Sequence, residues 1–441
     1  MAITIQERPY TMTRLGQKLI VRATSTNVGN TGFKYVVNVL QGSDVIGQYY
    51  VSPNPESELV FDLMDALKDV VSVDVNGNIL KASEILNSSI APNYPFFGYS
   101  VNLYEGWLVD GIFEIQEASE ESLSGYIIPC SYSVADGYRP DPVDSYGFEA
   151  IPPFNVVSTS LFMGDRNQYT HRPQVNLDGV TNLGSEYYVA IPTRKSEKDW
   201  GVLNDIIYFS GGNQFAAGLY VKWTLKKADG TTVTYNVQHT DEISISHIPA
   251  YPANLNAGDL SPVIPADFPD WQWYSIQLFE DALLTIVRSA LYVFYPVEDD
   301  CIYDNVRVCW WSPVKGGFDF FNFSKVNEQS VEVERKRIKK IVGNYAGAST
   351  GFTFNTSDRG LAETSVSPTT SIEITSDWIQ EGEYELLKNM VMSRYVWIIN
   401  DNGSATAVVV DTNSFRLNKQ RNGKLTRVTF KLTYSNENFY F

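Results

Sequence analysis

The chain has 441 residues, 44% of them hydrophobic and 13% aromatic, and its 34 basic against 51 acidic side chains give a formal charge of −17. That apolar content excludes disorder as the main state, and at about 150 residues per domain the length predicts about three domains. The acidic balance argues against direct binding to nucleic acid or an anionic membrane through the bulk surface, because both repel such a body.

In chain order, Met1 to Tyr10 lacks the apolar stretch of a signal peptide. No run of about 20 apolar residues occurs later, so the expectation is a chain neither exported by a signal peptide nor spanning a membrane. Three cysteines cannot build a disulfide framework at this size, and an odd number leaves one thiol free, which points to a reducing compartment. Abundant Tyr, Phe, Trp, Val, Thr and Ile favour sheet over helix. The expected fold class is mainly β, with tandem β-sandwich domains followed by a small α+β domain.

Residues 1–132 read as the first β-sandwich, with an insertion between Pro53 and Phe97. The insertion holds a short helix over about Leu59 to Val70, where Phe61, Met64 and Leu67 fall on one stripe. Residues 133–184 read as an extended Pro- and Tyr-rich connector, punctuated by Arg139-Pro140-Asp141-Pro142 and Ile151-Pro152-Pro153. Residues 185–311 read as a second β-sandwich with a Pro-rich loop from Ile248 to Pro269, and the ambiguous Leu283 to Phe294 is assigned to strand. Residues 312–441 form the C-terminal α+β domain, whose helix spans Trp378 to Arg394 with Ser376 or Asp377 as N-cap. Hairpin turns are expected at Ala228-Asp229-Gly230-Thr231, Asn400-Asp401-Asn402-Gly403 and Arg421-Asn422-Gly423-Lys424.

The second sandwich is read as a duplicate of the first. Tyr99-Ser100-Val101-Asn102-Leu103-Tyr104-Glu105 is echoed by Tyr274-Ser275-Ile276-Gln277-Leu278-Phe279-Glu280. Upstream, Tyr35 to Leu40 aligns with Tyr220 to Leu225, and the same register matches Tyr50 with Tyr235. Downstream, Tyr126 to Cys130 aligns with Asn305 to Cys309. Three blocks recurring in one order at nearly constant spacing are better explained by repetition than by chance.

Chemistry is sparse. His171, His239 and His247 lack metal-ligand spacing, and Cys301 and Cys309 do not form a Cys-x-x-Cys pair. Glu298-Asp299-Asp300 with Asp304 reads as a solvated acidic turn, and in Asp74-Val75-Asn76-Gly77-Asn78 the glycine is misplaced for a calcium loop. Ser210-Gly211-Gly212-Asn213 and Lys315-Gly316-Gly317-Phe318 lack the Gly-Lys-Ser/Thr ending of a phosphate loop. No catalytic, cofactor or metal residue is singled out.

One cluster runs against the general acidity. Val331-Glu332-Val333-Glu334 leads into Arg335, Lys336, Arg337, Ile338, Lys339 and Lys340. Three readings compete: a nucleic-acid patch, an edge strand whose charges prevent aggregation, and a strip that docks on the acidic surface of a neighbouring copy. On the last reading Arg335, Lys336, Arg337, Lys339 and Lys340 are protein-binding residues.

Several stretches carry a resemblance. Val306-Arg307-Val308-Cys309-Trp310-Trp311, Gly316-Gly317-Phe318-Asp319-Phe320-Phe321-Asn322-Phe323 and the Val331–Lys340 strip resemble a pattern in virion proteins of tailed phages infecting Bacteroidota, crAss-like phages among them. Ala23 to Asn27, Phe33 to Val37 and Pro53-Asn54-Pro55 at the start fit it, as do Ser376-Asp377-Trp378 and Ser393 to Ile398 near the end. The pattern departs at Trp311-Ser312-Pro313, where such proteins more often carry Trp-Leu-Asn. The resemblance implies a non-enzymatic structural protein of the tail, neck or baseplate region. It also implies a homo-oligomer among other virion tail or neck proteins or fibres, located in the virion after synthesis in the bacterial cytoplasm. The alternative is a host-surface adhesin in which Trp271-Gln272-Trp273-Tyr274 stacks on sugar rings.

Overall fold

The computed structural model describes residues 3–9, 12–15, 18–71, 80–81, 86–89, 97–128, 188–194, 198–208, 219–239, 243–256, 271–279, 282–285, 291–297, 304–313, 317–325, 327–340, 342–345, 352–353, 357, 360–379, 381–411 and 427–435. Among them the chain is mainly β, arranged in six sheets with three short helices, the smallest sheet being the pair β20 (Asn344–Tyr345) and β21 (Phe352–Thr353). The connector expected over 133–184 and the hairpin expected at Arg421 to Lys424 lie outside the described residues.

Near the N-terminus, alternating apolar residues build two facing sheets. One runs β1 (Ile3–Glu7), β3 (Ile20–Ser25), β6 (Glu58–Asp62); the other runs β2 (Met12–Arg14), β9 (Ile112–Ile128), β8 (Phe97–Val109), β4 (Lys34–Gln41), β5 (Asp44–Val51). Val21, Ala23 and Leu59 of the first share one buried cluster with Tyr35, Val37, Tyr99, Val101 and Leu103 of the second, so the core lies between two layers. The helix expected over Leu59 to Val70 shrinks to α1 (Met64–Leu67). Its predicted first turn is strand instead, because Leu59 is buried and Val60 exposed, the two-residue period of β6. Asp62 Oδ1 then ends the strand by accepting the N–H groups of Leu19 and Met64, each at 3.0 Å.

A second pair of sheets follows. Its five-stranded member runs β10 (Tyr188–Arg194), β16 (Leu291–Val297), β15 (Trp271–Phe279), β12 (Leu219–Lys227), β13 (Thr232–His239). As in the first, an outer strand lies parallel to its neighbour, β2 on β9 and β10 on β16, and the remaining pairs are antiparallel. The β12–β13 turn falls where expected, with Gly230 at φ 86°, a conformation that costs glycine little. The three-stranded member runs β11 (Val202–Tyr208), β14 (Ile243–Pro249), β7 (Leu86–Ser89), and α2 (Pro252–Asn256) follows β14 as α1 follows β6.

The insertion therefore does more than carry a helix. Its strand β7 pairs with β14 from Leu86↔His247 to Ser89↔Ser244 and completes a sheet of the second pair. Leu80 joins the same core, and its carbonyl accepts the Asn254 side-chain amide at 2.7 Å.

Strand registers alter the sequence matches. Tyr99 and Tyr274 are both core residues, as matched. Val37 pairs with Leu103 and Val221 with Leu278, which makes Val36, not Tyr35, the counterpart of Tyr220. A one-residue slip exchanges strand faces, and accordingly Tyr35 is buried and Tyr220 only half-buried. Tyr50 lies opposite Val36 and Tyr235 opposite Trp223, so these two are not counterparts either. In the third match, β9 corresponds in pairing to β16, while β17 (Val306–Trp311) belongs to another sheet. Of the described part of Leu283 to Phe294, 283–285 lie in a turn and Leu291 onward is strand.

That other sheet has seven strands in the order β18 (Phe318–Phe323), β17, β23 (Val396–Ile399), β24 (Ala405–Val410), β25 (Thr429–Tyr434), β22 (Leu361–Thr375), β19 (Asn327–Lys339). A division at 311/312 would cut it, because β17 bonds to β18 and β23. All six residues of β17 are buried, as in a central strand covered on both faces. Gly403 at φ 76° makes the expected β23–β24 turn. The helix α3 (Glu381–Met392) lies within the expected span, with Leu387 and Met390 fully buried. Ser376 is not its cap; its backbone N–H and side-chain oxygen bond to Val428 instead. One continuous apolar core runs from the second pair of sheets into the seven-stranded sheet.

Candidate assembly site

Two charge constellations hang on the seven-stranded sheet, one inside it and one outside. The inner one centres on Asp199, fully buried just before β11. Its Oδ1 accepts Arg194 Nε at 2.7 Å and pairs with Arg194 Nη2 at 2.6 Å. Its Oδ2 accepts the Arg194 N–H, Thr193 Oγ1 and Asn322 Nδ2 at 2.8, 3.0 and 2.8 Å. Arg307 from β17 lies 3.6 Å away, donates to the Trp200 carbonyl at 2.8 Å and to Asn322 Oδ1 at 2.9 Å, and stacks over the Tyr251 ring at 4.2 Å. Burial alone raises the Asp199 carboxyl, but Arg307, then Arg194 and the hydrogen bonds, outweigh it and hold the group below its ordinary range. This constellation locks the second pair of sheets to the seven-stranded sheet. Its one sequence signal is Arg307, a lone charge in the otherwise apolar run of β17.

The outer constellation is the β19–β22 ribbon. β19 pairs with β22 from Asn327↔Ile374 to Lys339↔Leu361, yet β25 reaches β22 only between Ser371 and Thr375. Among the described residues, Leu361–Thr370 thus has β19 as its only strand neighbour, which leaves about 30 Å of two-stranded arm at the sheet edge. Every residue of β19 after Asn327 is exposed, Val331 at 57% and Val333 and Ile338 among them, as is Leu361 opposite. Such apolar exposure is not needed to build the sheet. Glu363 accepts Arg335 Nη1 at 2.8 Å and Arg337 Nε at 3.3 Å, a brace across the ribbon, and the Arg335 hydrogen bond is the main force holding the Glu363 carboxyl below its ordinary range. Lys336, Lys339 and Lys340 have no ion-pair partner among the described residues. The structure thus brings Arg335, Lys336, Arg337, Lys339 and Lys340 together on one exposed arm.

A surface of opposite sign lies on β9. This strand carries Glu114, Glu117, Glu120 and Glu121 and no Lys or Arg. Its register against β8 jumps from Glu121↔Leu103 to Gln116↔Glu105, so 117–120 bulge opposite Tyr104 alone. Ser119 fixes the bulge by donating to the Gln116 carbonyl at 2.6 Å and accepting the Glu105 N–H at 3.0 Å. Glu114, Glu117 and Glu120 are exposed. Beside them is a groove of about 510 Å³ lined by Arg8, Ser100, Asn102, Glu120, Ser122 and Ser124. Exposed Tyr50, Leu108 and Ile112 lie towards the strand's start, with Tyr50 against Phe113 at 5.7 Å between ring centroids. Sequence reading missed this surface, although the acid run without a base was its visible mark.

The remaining candidates scatter. His247 is buried in β14 and titrates near 3 because burial disfavours its charged form. Cys309 is a buried free thiol pushed well up by burial. His171, Cys301, Glu298-Asp299-Asp300, Asp74 to Asn78 and Ser210 to Asn213 lie outside the described residues. Among the described residues no three His, Cys, Asp or Glu are grouped to hold a metal, and no helix is long and apolar enough to cross a membrane. No family model and no curated protein matches the chain.

Proposed function

We propose that the chain is a non-enzymatic structural protein of a phage virion, in the tail, neck or baseplate region, that self-associates through the β19–β22 arm and connects other virion components. The observation that carries the reading is the arm itself: a braced ribbon with exposed valine, isoleucine and leucine and five basic side chains, on a chain of charge −17. A monomer gains nothing from holding that surface in water, whereas an acidic neighbour supplies both burial and opposite charge. The shared strand order of the two five-stranded sheets supports tandem copies of one β-sandwich, with the seven-stranded sheet and α3 as a third, α+β unit. The resemblance to virion proteins of phages infecting Bacteroidota supports the setting.

The adhesin reading loses its motif, because Trp271 and Trp273 are only 1% and 5% exposed and cannot stack on a sugar. Sedimentation of the full chain over a hundredfold concentration range, together with peptide mass spectrometry of purified phage particles, tests the proposal. Association and presence in particles are expected; a strict monomer missing from particles overturns it.

A further inference from the structure

We propose that the arm of one copy docks on the β9 acidic bulge of a second copy. The inference rests on the structural reading above and names the partner surface that reading leaves open. Three complementarities carry it. Charge is the first: between Val331 and Lys340 five basic side chains outnumber Glu332 and Glu334, while β9 holds glutamates and no base, with Glu117 and Glu120 exposed at the bulge. The second is apolar character. The arm exposes Val333 and Leu361, and near the start of β9 Tyr50 of β5 and Leu108 of β8 are exposed beside Phe113, which Tyr50 meets and Leu108 pairs with. Each patch pairs apolar side chains with one sign of charge, so a single seating covers both kinds. The third is shape: the groove beside Glu120 is walled by Ser100, Ser122, Ser124 and Asn102, whose oxygens can accept from an ammonium or guanidinium, and Arg8, also in its wall, directs an incoming base towards Glu120.

Arm and bulge are different patches of one chain, so the contact is head-to-tail and propagates to a ring or a filament. Lys336, Lys339 and Lys340, without an ion-pair partner among the described residues, leave the arm able to pair outward without breaking the Glu363 brace.

A charge swap on the full chain tests this. One variant reverses the arm (Arg335, Lys336, Arg337, Lys339 and Lys340→Glu), and another reverses the bulge (Glu114, Glu117, Glu120 and Glu121→Lys). Each alone presents like charges to like and is expected to associate about 100-fold more weakly than the parent. Mixed, the reversed arm meets the reversed bulge and the native arm meets the native bulge, so association returns. Circular dichroism melts identify a misfolded reversal, and Glu114, Glu117, Glu120 and Glu121→Gln then serves instead, with weakened association expected and parental association overturning the proposal. Arm reversal that abolishes association while bulge reversal leaves it intact overturns this contact but spares the structural reading. Loss in both variants without recovery on mixing also overturns it. Association unaffected by either reversal removes the arm from the assembly altogether.

Discussion

Asp199 and Glu363 are each gripped by two arginines, and the comparison separates what a charge does inside this molecule from what it does outside. Asp199 is fully buried, with Arg194 and Arg307 nearly so, and every oxygen of the carboxylate has a donor. Glu363 sits in water between Arg335 and Arg337, whose side chains are 44% and 52% exposed. Out of water the attraction is strong and so is the penalty for leaving it incomplete, which makes the inner cluster a lock between sheets. In water the same grip is weak and screened by salt, so it can only orient the arm. Similar residues thus serve cohesion in one place and presentation in the other.

The largest break in this comparison is Asp199→Ala. It leaves two buried guanidinium groups without their carboxylate, and a loss of about 3–5 kcal/mol in unfolding free energy is expected by urea titration. The damage should spread through the junction, because Asn322 on β18 and Arg307 on β17 lose the same partner. A loss below about 1 kcal/mol would show that apolar packing alone joins the sheets.

pH sharpens the contrast. His247 titrates near 3 in the folded chain against about 6.5 unfolded, so its contribution is complete above 6.5 and fades as pH falls towards 3. The slope approaches about 1.4 kcal/mol per pH unit below pH 6.5, so the step from pH 6.5 to 4.5 costs on the order of 2 kcal/mol, and His247→Leu should flatten it. Asp199, held below its ordinary range, adds its loss only under about pH 4. Stability measured by urea between pH 7 and 3 checks both windows, and an Asp199-dependent loss above pH 5 would contradict the assigned direction.

Much of the fold was legible, and the misses have physical causes. Asp-Gly and Asn-Gly turns and aromatic alternation marked strands correctly, because turn geometry and a two-sided pleat are local properties. Tyr35 and Tyr220 slipped by one residue because both strands mix buried and half-buried apolar positions, which blurs the period that fixes register. β17 was assigned to the wrong sheet because a wholly buried strand has no alternation to say which faces it touches. β7 was invisible as a partner of β14, since pairing across so long a stretch of chain leaves no local trace. The arm was legible as a charge run, but the Asp199 lock was not, because its members come from separate segments and meet only in space.

Reversing the five arm bases should move the melting temperature by no more than about 2 °C while removing self-association, which sets cohesion and presentation apart in one variant. The finest cut is Glu363→Gln. It removes the brace without removing a base, so Arg335 and Arg337 gain freedom and the arm gains net positive charge. If the arm meets an acidic surface, the added charge speeds encounter, and the association rate at low salt should rise about twofold to threefold. The lost brace acts in the opposite direction on dissociation, because a looser ribbon orders its side chains only on contact. Stopped-flow association at low and high salt separates the two: the rate gain should vanish as the Debye length shrinks, while the faster dissociation should remain. A rate that falls at low salt would mean that the brace, rather than the charge, governs how the arm is received.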